Sequence, residues 1–402
     1  MIIKNSVIYG VETKNNATIA LQDKSVTENG TYTADQGYDG LGTVTVNVSG
    51  GSDVYDTLIF ENISGTTNTL IVTGYFKNPS YSLDEGVTWT SLPTNITEWS
   101  IENRYDIEFN DKIYFKYNDT STSTSAFHFK PTGNYNLSGD LYNSHKQNFY
   151  SHFFGNNDTL INASGLVFHG DYVAHGAMSY MFQACSHMTV GPTSLPATKV
   201  GASGYSYMFT TCSQLLVAPT IAATMVSKGS FNSMFAGCQA MTTPPPILPA
   251  LIVYNSSYAY MFSSCRALQT APQLPATTLG ETSYSNMFNT CESLSQAPDL
   301  PATTVPKGAY SMMFRYCRSL TETPVLHATV LNESVYNSMF DGCTNLNTVI
   351  TYAQDISATN CLSYWLNQVS STGNFYNLGN PAPTYPSGAS GIPSGWTEHT
   401  SL

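Results

Sequence analysis

The dipeptide Met-Phe recurs seven times along the second half of the chain, as Met181-Phe182, Met208-Phe209, Met234-Phe235, Met261-Phe262, Met287-Phe288, Met313-Phe314 and Met339-Phe340. The intervals are 27, 26, 27, 26, 26 and 26 residues. Three residues after each Phe stands a cysteine (Cys185, Cys212, Cys238, Cys265, Cys291, Cys317 and Cys343), and three further on a Met or Leu. Six of the seven units place an aromatic three residues before the Met (Tyr205, Phe231, Tyr258, Tyr284, Tyr310, Tyr336), and the first has Met178. Self-similarity at a fixed period of this length is the signature of a solenoid. One unit cannot bury its own Met, Phe and Leu, so neighbours must stack and the ends must be capped.

The spacing inside a unit carries further information. Tyr205, Met208, Phe209 and Cys212 fall at i, i+3, i+4 and i+7, one face of a helical turn or two. After the Cys the pattern becomes Leu-x-x-x-Pro-x-Leu-Pro-Ala-Thr, as in Leu268 to Thr277, and a Pro lies seven residues beyond the Cys in six units (Pro192, Pro219, Pro245, Pro272, Pro298, Pro324). Proline has no N–H to give, so a column of prolines cannot occupy the middle of a hydrogen-bonded ladder. A short strand is therefore predicted just after the Cys, around the third residue, with the prolines closing it into a turn. In the first and third units the Leu-Pro-Ala step comes one residue later (Leu195, Leu248), which puts the extra residue of the 27-residue intervals in that turn.

The expected fold class is a mixed α/β repeat, a leucine-rich-repeat-like solenoid over residues 151–354, with Phe182, Phe209, Phe235, Phe262, Phe288, Phe314, Phe340 and the seven cysteines as its core. Seven strands stacked at ~4.8 Å make a segment of about 35 Å. The last unit lacks its Pro-Leu-Pro over Val349 to Asp355, which marks the end of the stack. Residues 355–402, with Cys361, Trp365, Pro393 and Trp396 among Gly, Ser and Pro, then form a C-terminal cap.

Strings such as YMFSSCRALQTAPQLPATTL, residues 260–279, resemble the BspA-like class of leucine-rich repeats, found in surface proteins of gut Bacteroidetes and in their phages. The resemblance covers roughly residues 150–402, and the segment SSTGNFYNLGN…GIPSGW is similar to the stretch that comes after such arrays. It implies a scaffold for adhesion and leaves the ligand open, because a fold of this kind is not tied to one activity.

Evenly spaced cysteines invite a metal or disulfide reading. Metal sites want ligands close in sequence, as in C-x2-C, and this chain has no such pair. In a stack, neighbouring cysteines stand one strand spacing apart, slightly beyond the ~3.8 Å between Cβ atoms that a disulfide prefers. The column is read as small apolar residues filling a tight ladder, and free thiols suit assembly in a reducing cytoplasm.

The first half is organised differently. Residues 1–50 end in SVTENGTYTADQGYDGLGTVTVNV, where Asn29-Gly30 is a hairpin signal and Val44, Val46 and Val48 alternate as in a strand. This stretch resembles a small β module of bacteriophage tail and fibre proteins, which implies attachment to other virion proteins. Ser49-Gly50-Gly51-Ser52 reads as a linker. Residues 53–150 alternate β-like runs with Asn, Ser and Gly turns and predict a small antiparallel sandwich. Within them Ser82-Leu-Asp84-Glu-Gly86-Val-Thr88-Trp89 matches the Asp-box pattern of sialidase-type propellers. One box, with no room for the four or more blades a propeller needs, favours a hairpin whose Asp caps the turn and whose Trp packs beneath it.

Charge narrows the function. Charged residues are 10% of the chain against about 25% in a typical soluble domain, and 15 Lys+Arg against 27 Asp+Glu leave a net charge of −12. Without a basic run, a nucleic-acid partner is not expected. No segment reaches the ~20 apolar residues of a membrane span. The first residues lack the apolar stretch of a secretory signal, so cytoplasmic synthesis is expected. No His pair has zinc-protease spacing, and no Walker loop, GxSxG elbow or dinucleotide-binding glycine pattern occurs. Neither a cofactor nor a catalytic residue is expected. Tyr180, Tyr207 and Tyr260, each just before a Met, lie off the buried face and are the candidate binding surface, since exposed tyrosines offer rigid area with a polar tip.

Together these readings predict a non-enzymatic phage head or tail fibre, exposed on the virion, homo-oligomeric with a trimer as the guess, and contacting a host-surface glycan or protein. The alternatives are a bacterial cell-surface adhesin built on the same repeats and, from the Asp box, a carbohydrate-active enzyme.

Overall fold

The computed structural model describes residues 56–73, 79–92, 104–117, 128–142 and 150–402, and the backbone of four short strands nearer the start. The chain divides into two units, Met1–Val54 and Tyr55–Leu402. In the first, β1 (Ile2–Lys4) pairs antiparallel with β2 (Val7–Tyr9), and β3 (Gly30–Tyr32) with β4 (Val44–Val46). Gly30 thus opens a strand, while Asn29, Val48 and the Ser49–Ser52 linker lie outside the described residues.

The second unit begins as two sheets. One has the order β13-β12-β5-β10-β7-β8 (Leu160–Phe168, Tyr135–Leu141, Asp56–Asn62, Lys112–Tyr117, Ser80–Ser82, Thr90–Ser91), the other β11-β6-β9 (His128–Pro131, Asn68–Thr73, Arg104–Phe109). Burial alternates along β5 and β6, so that Leu58, Phe60, Leu70 and Val72 face inward while Ile59 and Ile71 between them are only half-buried. The faces meet on aromatics, with the Phe129 ring 5.5 Å from that of Phe60 and 5.1 Å from that of Phe115. Every pairing here is antiparallel except β12 with β13, which is parallel. That exception matters, because β13 also bridges in parallel to Val190, Val190 to Val217 and Val217 to Thr243. The sandwich sheet therefore runs on into the solenoid.

The solenoid is all-β and makes about ten turns, with no helix among the described residues. This corrects the mixed α/β expectation. In the Met-Phe segment the N–H groups take two partners by turns. Met208 and Thr210 donate to the carbonyls three residues back, Tyr205 and Tyr207, while Tyr207, Phe209 and Thr211 donate to Asn232, Met234 and Ala236 of the next coil. Every fourth residue has positive φ, as at Ser203, Tyr207 and Thr211 (53°, 58° and 59°) and at Gly229, Ser233 and Gly237 (63°, 54° and 78°). An α-helix needs all φ near −60° and all bonds internal. A ribbon of turns with a four-residue period instead satisfies every second N–H from the neighbouring coil. It buries the same Tyr205, Met208, Phe209 and Cys212 that a helix face would. No described helix is long and apolar enough to cross a membrane.

The rest of each coil also differs from expectation in detail. The residue three after the Cys (Met188, Leu215, Met241) is buried, but the parallel bridge falls two residues later, at Val190, Val217 and Thr243. The Pro column follows at once and ends it. Two further columns of two-residue strands complete the coil: Ser194–Leu195 beside Thr220–Ile221, and Tyr172–Val173, Lys199–Val200 and Met225–Val226 side by side.

The stack also extends past the seven Met-Phe units at both ends. Phe154 stacks on Phe182 at 5.3 Å, and Phe154 N–H donates to Met181, so Phe153-Phe154 stands where later coils have Met-Phe. At the other end Trp365 takes the Met position, since Phe340 N–H donates to its carbonyl. Residues 355–402 then add parallel strands Gly373–Asn377 and Trp396–His399 beside Thr348–Thr351.

Candidate functional site

Where a two-residue strand lies on the solenoid's side, one residue faces in and the other out. In the column of Tyr172–Val173, Lys199–Val200, Met225–Val226 and Ile252–Val253 the valines are buried and the preceding residues exposed. Leu251 and Tyr254 flank Ile252, and Met225, Leu251, Ile252 and Tyr254 are each more than half exposed. With Val200, Val226 and Pro249 they enclose a groove of about 650 Å³ across four successive coils. Further along, Thr278 and Thr304 replace the apolar side chains at the same outward position. Apolar groups held in water over several coils mark a binding surface more specifically than scattered ones do.

The groove has one charged lining residue, Lys199. Neither Lys199 nor Lys228, which follows the lining Ser227, has an acid within ion-pair distance among the described residues. Three basic residues further along the stack do have one: Arg266–Glu292 at 3.7 Å, Lys307–Glu333 at 2.8 Å and Arg315–Asp341 at 2.9 Å. Asp171, one coil before Lys199, accepts the main-chain N–H of Thr198 and of Lys199 with its carbonyl.

Two of the three candidate tyrosines come together. Tyr180 and Tyr207 stack at 4.7 Å and 2° between planes, and the His152 imidazole stacks on Tyr180 at 4.7 Å and 8°. Burial in this ladder pushes the Tyr180 hydroxyl up and the His152 imidazole down from their ordinary values. Tyr260 stands apart, 44% exposed, because the intervening coil has Ser233 at this place. All three occupy the positive-φ position of the ribbon.

The core residues Phe182, Phe209, Phe235, Phe262, Phe288, Phe314 and Phe340 form one stack, with centroids 5.3–5.6 Å apart. The cysteines beside them are buried and free. Each thiol donates to the carbonyl of the Phe in the preceding coil, from Cys185 to Phe154 (3.0 Å), Cys212 to Phe182 (3.0 Å) and so on to Cys343 to Phe314 (3.0 Å). Burial pushes the Cys185 thiol up to about 12 and the Cys212 thiol well above its ordinary value, opposite to what a reactive thiolate needs. Among the described residues no group of three or more His, Cys, Asp or Glu could hold a metal ion.

The Asp box forms a hairpin between β7 and β8. Asp84 accepts the Ser82 hydroxyl (2.7 Å), the Thr88 N–H (2.8 Å) and the Thr88 hydroxyl (2.5 Å), and Trp89 donates its indole N–H to Gly86 (2.8 Å). These hydrogen bonds to the charged form, from Ser82 first and then Thr88, hold the Asp84 carboxyl down at about 2. Its two oxygens are engaged in closing the turn.

No family model, curated protein or solved structure matches the chain. The groove escapes a reading by sequence alone. Its one signal is Leu251-Ile252-Val253, three apolar residues in a row where the alternation takes only Val253 inside.

Proposed function

We propose that the protein is a non-catalytic binding scaffold of a bacteriophage particle, a head or tail fibre whose solenoid displays a surface to the host envelope or its surroundings. The observation that carries the binding reading is the apolar groove held open to solvent on the solenoid's side. The placement on a phage rests on the resemblance of residues 260–279 to BspA-like repeats and of residues 1–50 to a virion β module. The chain docks through residues 1–50 on other virion proteins and works as a homo-oligomer, a trimer in the simplest fibre. The His152–Tyr180–Tyr207 ladder adds a second place for a host glycan or protein. The use of Asp84 as a turn-closing group speaks against a glycosidase built on the Asp box.

Mass spectrometry and immunogold imaging of purified particles test the placement: the chain is expected in them, with its first residues retained. The binding arm compares adsorption of the purified chain to host cells before and after stripping surface glycans, with product analysis. Absence from particles would remove the virion reading, and released sugar would remove the non-catalytic one.

A further inference from the structure

The groove's shape and lining say more about its occupant than that it is apolar. We propose that it binds a single-chain anionic amphiphile, a long-chain alkyl carboxylate, with the alkyl chain along Met225, Leu251, Ile252 and Tyr254 and the head group on Lys199. This deepens the binding-scaffold reading and rests on it.

Three observations carry it. First, length and volume: from Lys199 to Tyr254 the groove crosses two coil spacings, about 10 Å at ~4.8 Å each, which takes up most of a dodecyl chain. Its volume of about 650 Å³ falls within the range of small-molecule sites. Second, hydrogen-bonding capacity. The backbone beneath the groove is already committed between coils, with Lys199 and Gly201 N–H donating to Asp171 and Val173, and Met225 N–H to Thr198. That leaves for a ligand mainly side-chain groups at the edges, the Thr224, Ser227 and Tyr254 hydroxyls and the Lys199 ammonium, around an apolar middle of Met225, Leu251 and Ile252. A peptide or sugar laid here would bury polar groups without partners, which is costly, whereas an alkyl chain has none to satisfy. Third, charge: in a chain of net charge −12, the one charged residue lining the groove is a cation, Lys199, and it has no acid within ion-pair distance among the described residues. The lysine stem suits the apolar wall and its ammonium the anion.

Calorimetric titration of the full chain with dodecanoate, dodecyl maltoside and dodecyltrimethylammonium, all below their micelle concentrations, tests this. Dodecanoate is expected to bind saturably at one site, at least tenfold tighter than the cationic amphiphile. Lys199→Met should weaken dodecanoate at least fivefold and leave the maltoside unchanged. Ile252→Asp should weaken both at least tenfold. Both positions are exposed, so unchanged circular dichroism and melting are expected to show that the variants fold. Equal affinity for the three head groups, no effect of Ile252→Asp, or no saturable dodecanoate binding would each overturn the proposal. So would a dimer in solution that Ile252→Asp dissociates, since a second copy would then occupy the groove. Should dodecanoate fail while the chain is found in particles and adsorbs to cells, the ligand assignment falls and the scaffold reading stands.

Discussion

The cysteine column shows how a single residue type can hold two jobs in a stack. In the sequence it reads as volume, a side chain small enough for a ladder with little room. In the structure each thiol is also a donor. The carbonyl of Phe235 accepts both the N–H of Cys238 in its own coil (3.1 Å) and the thiol of Cys265 in the next (3.2 Å). The volume was legible because it follows from period and burial, but the bond was not, because it depends on where a neighbouring coil puts its carbonyl. The two jobs separate by substitution. Cys265→Ala removes both the sulfur's packing and its bond and is expected to cost about 1–2 kcal/mol. Cys265→Ser keeps a donor, on a shorter bond, and is expected to cost less than the Ala variant, read from urea melts. A Ser variant less stable than the Ala variant would show that the thiol acts by packing alone.

The element that sequence reasoning mistook is the Met-Phe ribbon, and the reason is a degeneracy of period. Apolar residues at i, i+3, i+4 and i+7 fit a helix of 3.6 residues per turn, yet a ribbon of turns repeating every four residues buries the same set. What separates the two is the residue forced to positive φ, and here it is mostly not glycine: Tyr180, Ala184, Tyr207, Thr211, Ser264 and Thr290 all hold it. Glycine marks the position just before the Cys in only two coils, at Gly237 and Gly342. At Gly342 an added Cβ would lie 2.2 Å from the Tyr316 ring, so packing as well as φ calls for glycine there. A left-handed residue with a Cβ costs of order 1 kcal/mol. Ala184, at φ 57° with no side-chain bond to lose, is therefore the position to relieve. Ala184→Gly is expected to raise stability by roughly 0.5–1 kcal/mol, the reverse of its effect in a helix, where the same change would lower stability by about as much. The sign of the shift in the thermal midpoint decides between ribbon and helix.

At the scale of the whole second unit, the solenoid's existence, core and repeat length were legible, because the period alone dictates them. Its ends and its groove were not. Tyr150, Phe153 and Phe154 carry the Met-Phe pattern without a Met or a Cys, and Trp365 hides it at the other end. The groove depends on strand register, since a shift of one residue would exchange Ile252 for Val253 on the outer face. Once the coils are aligned, interactions between them turn out to run from each coil to the next, including the ion pairs Arg266–Glu292, Lys307–Glu333 and Arg315–Asp341, each 26 residues apart. A stack held by nearest neighbours should tolerate losing one complete coil and no fraction of one. Deleting residues 266–291 joins Cys265 to Glu292 with every column in register, bringing the Tyr258 and Tyr310 rings into adjacent coils. The shortened chain is expected to fold, with a thermal midpoint within roughly 5 °C of the parent, because one interface and one coil are lost together. Deleting residues 266–278 removes half a coil, sets the Pro column against the ribbon and should abolish cooperative unfolding. Circular dichroism melts of the two deletions, with the parent alongside, measure this directly. A half-coil deletion that melts as sharply as the parent would mean that the stack is not held by its columns.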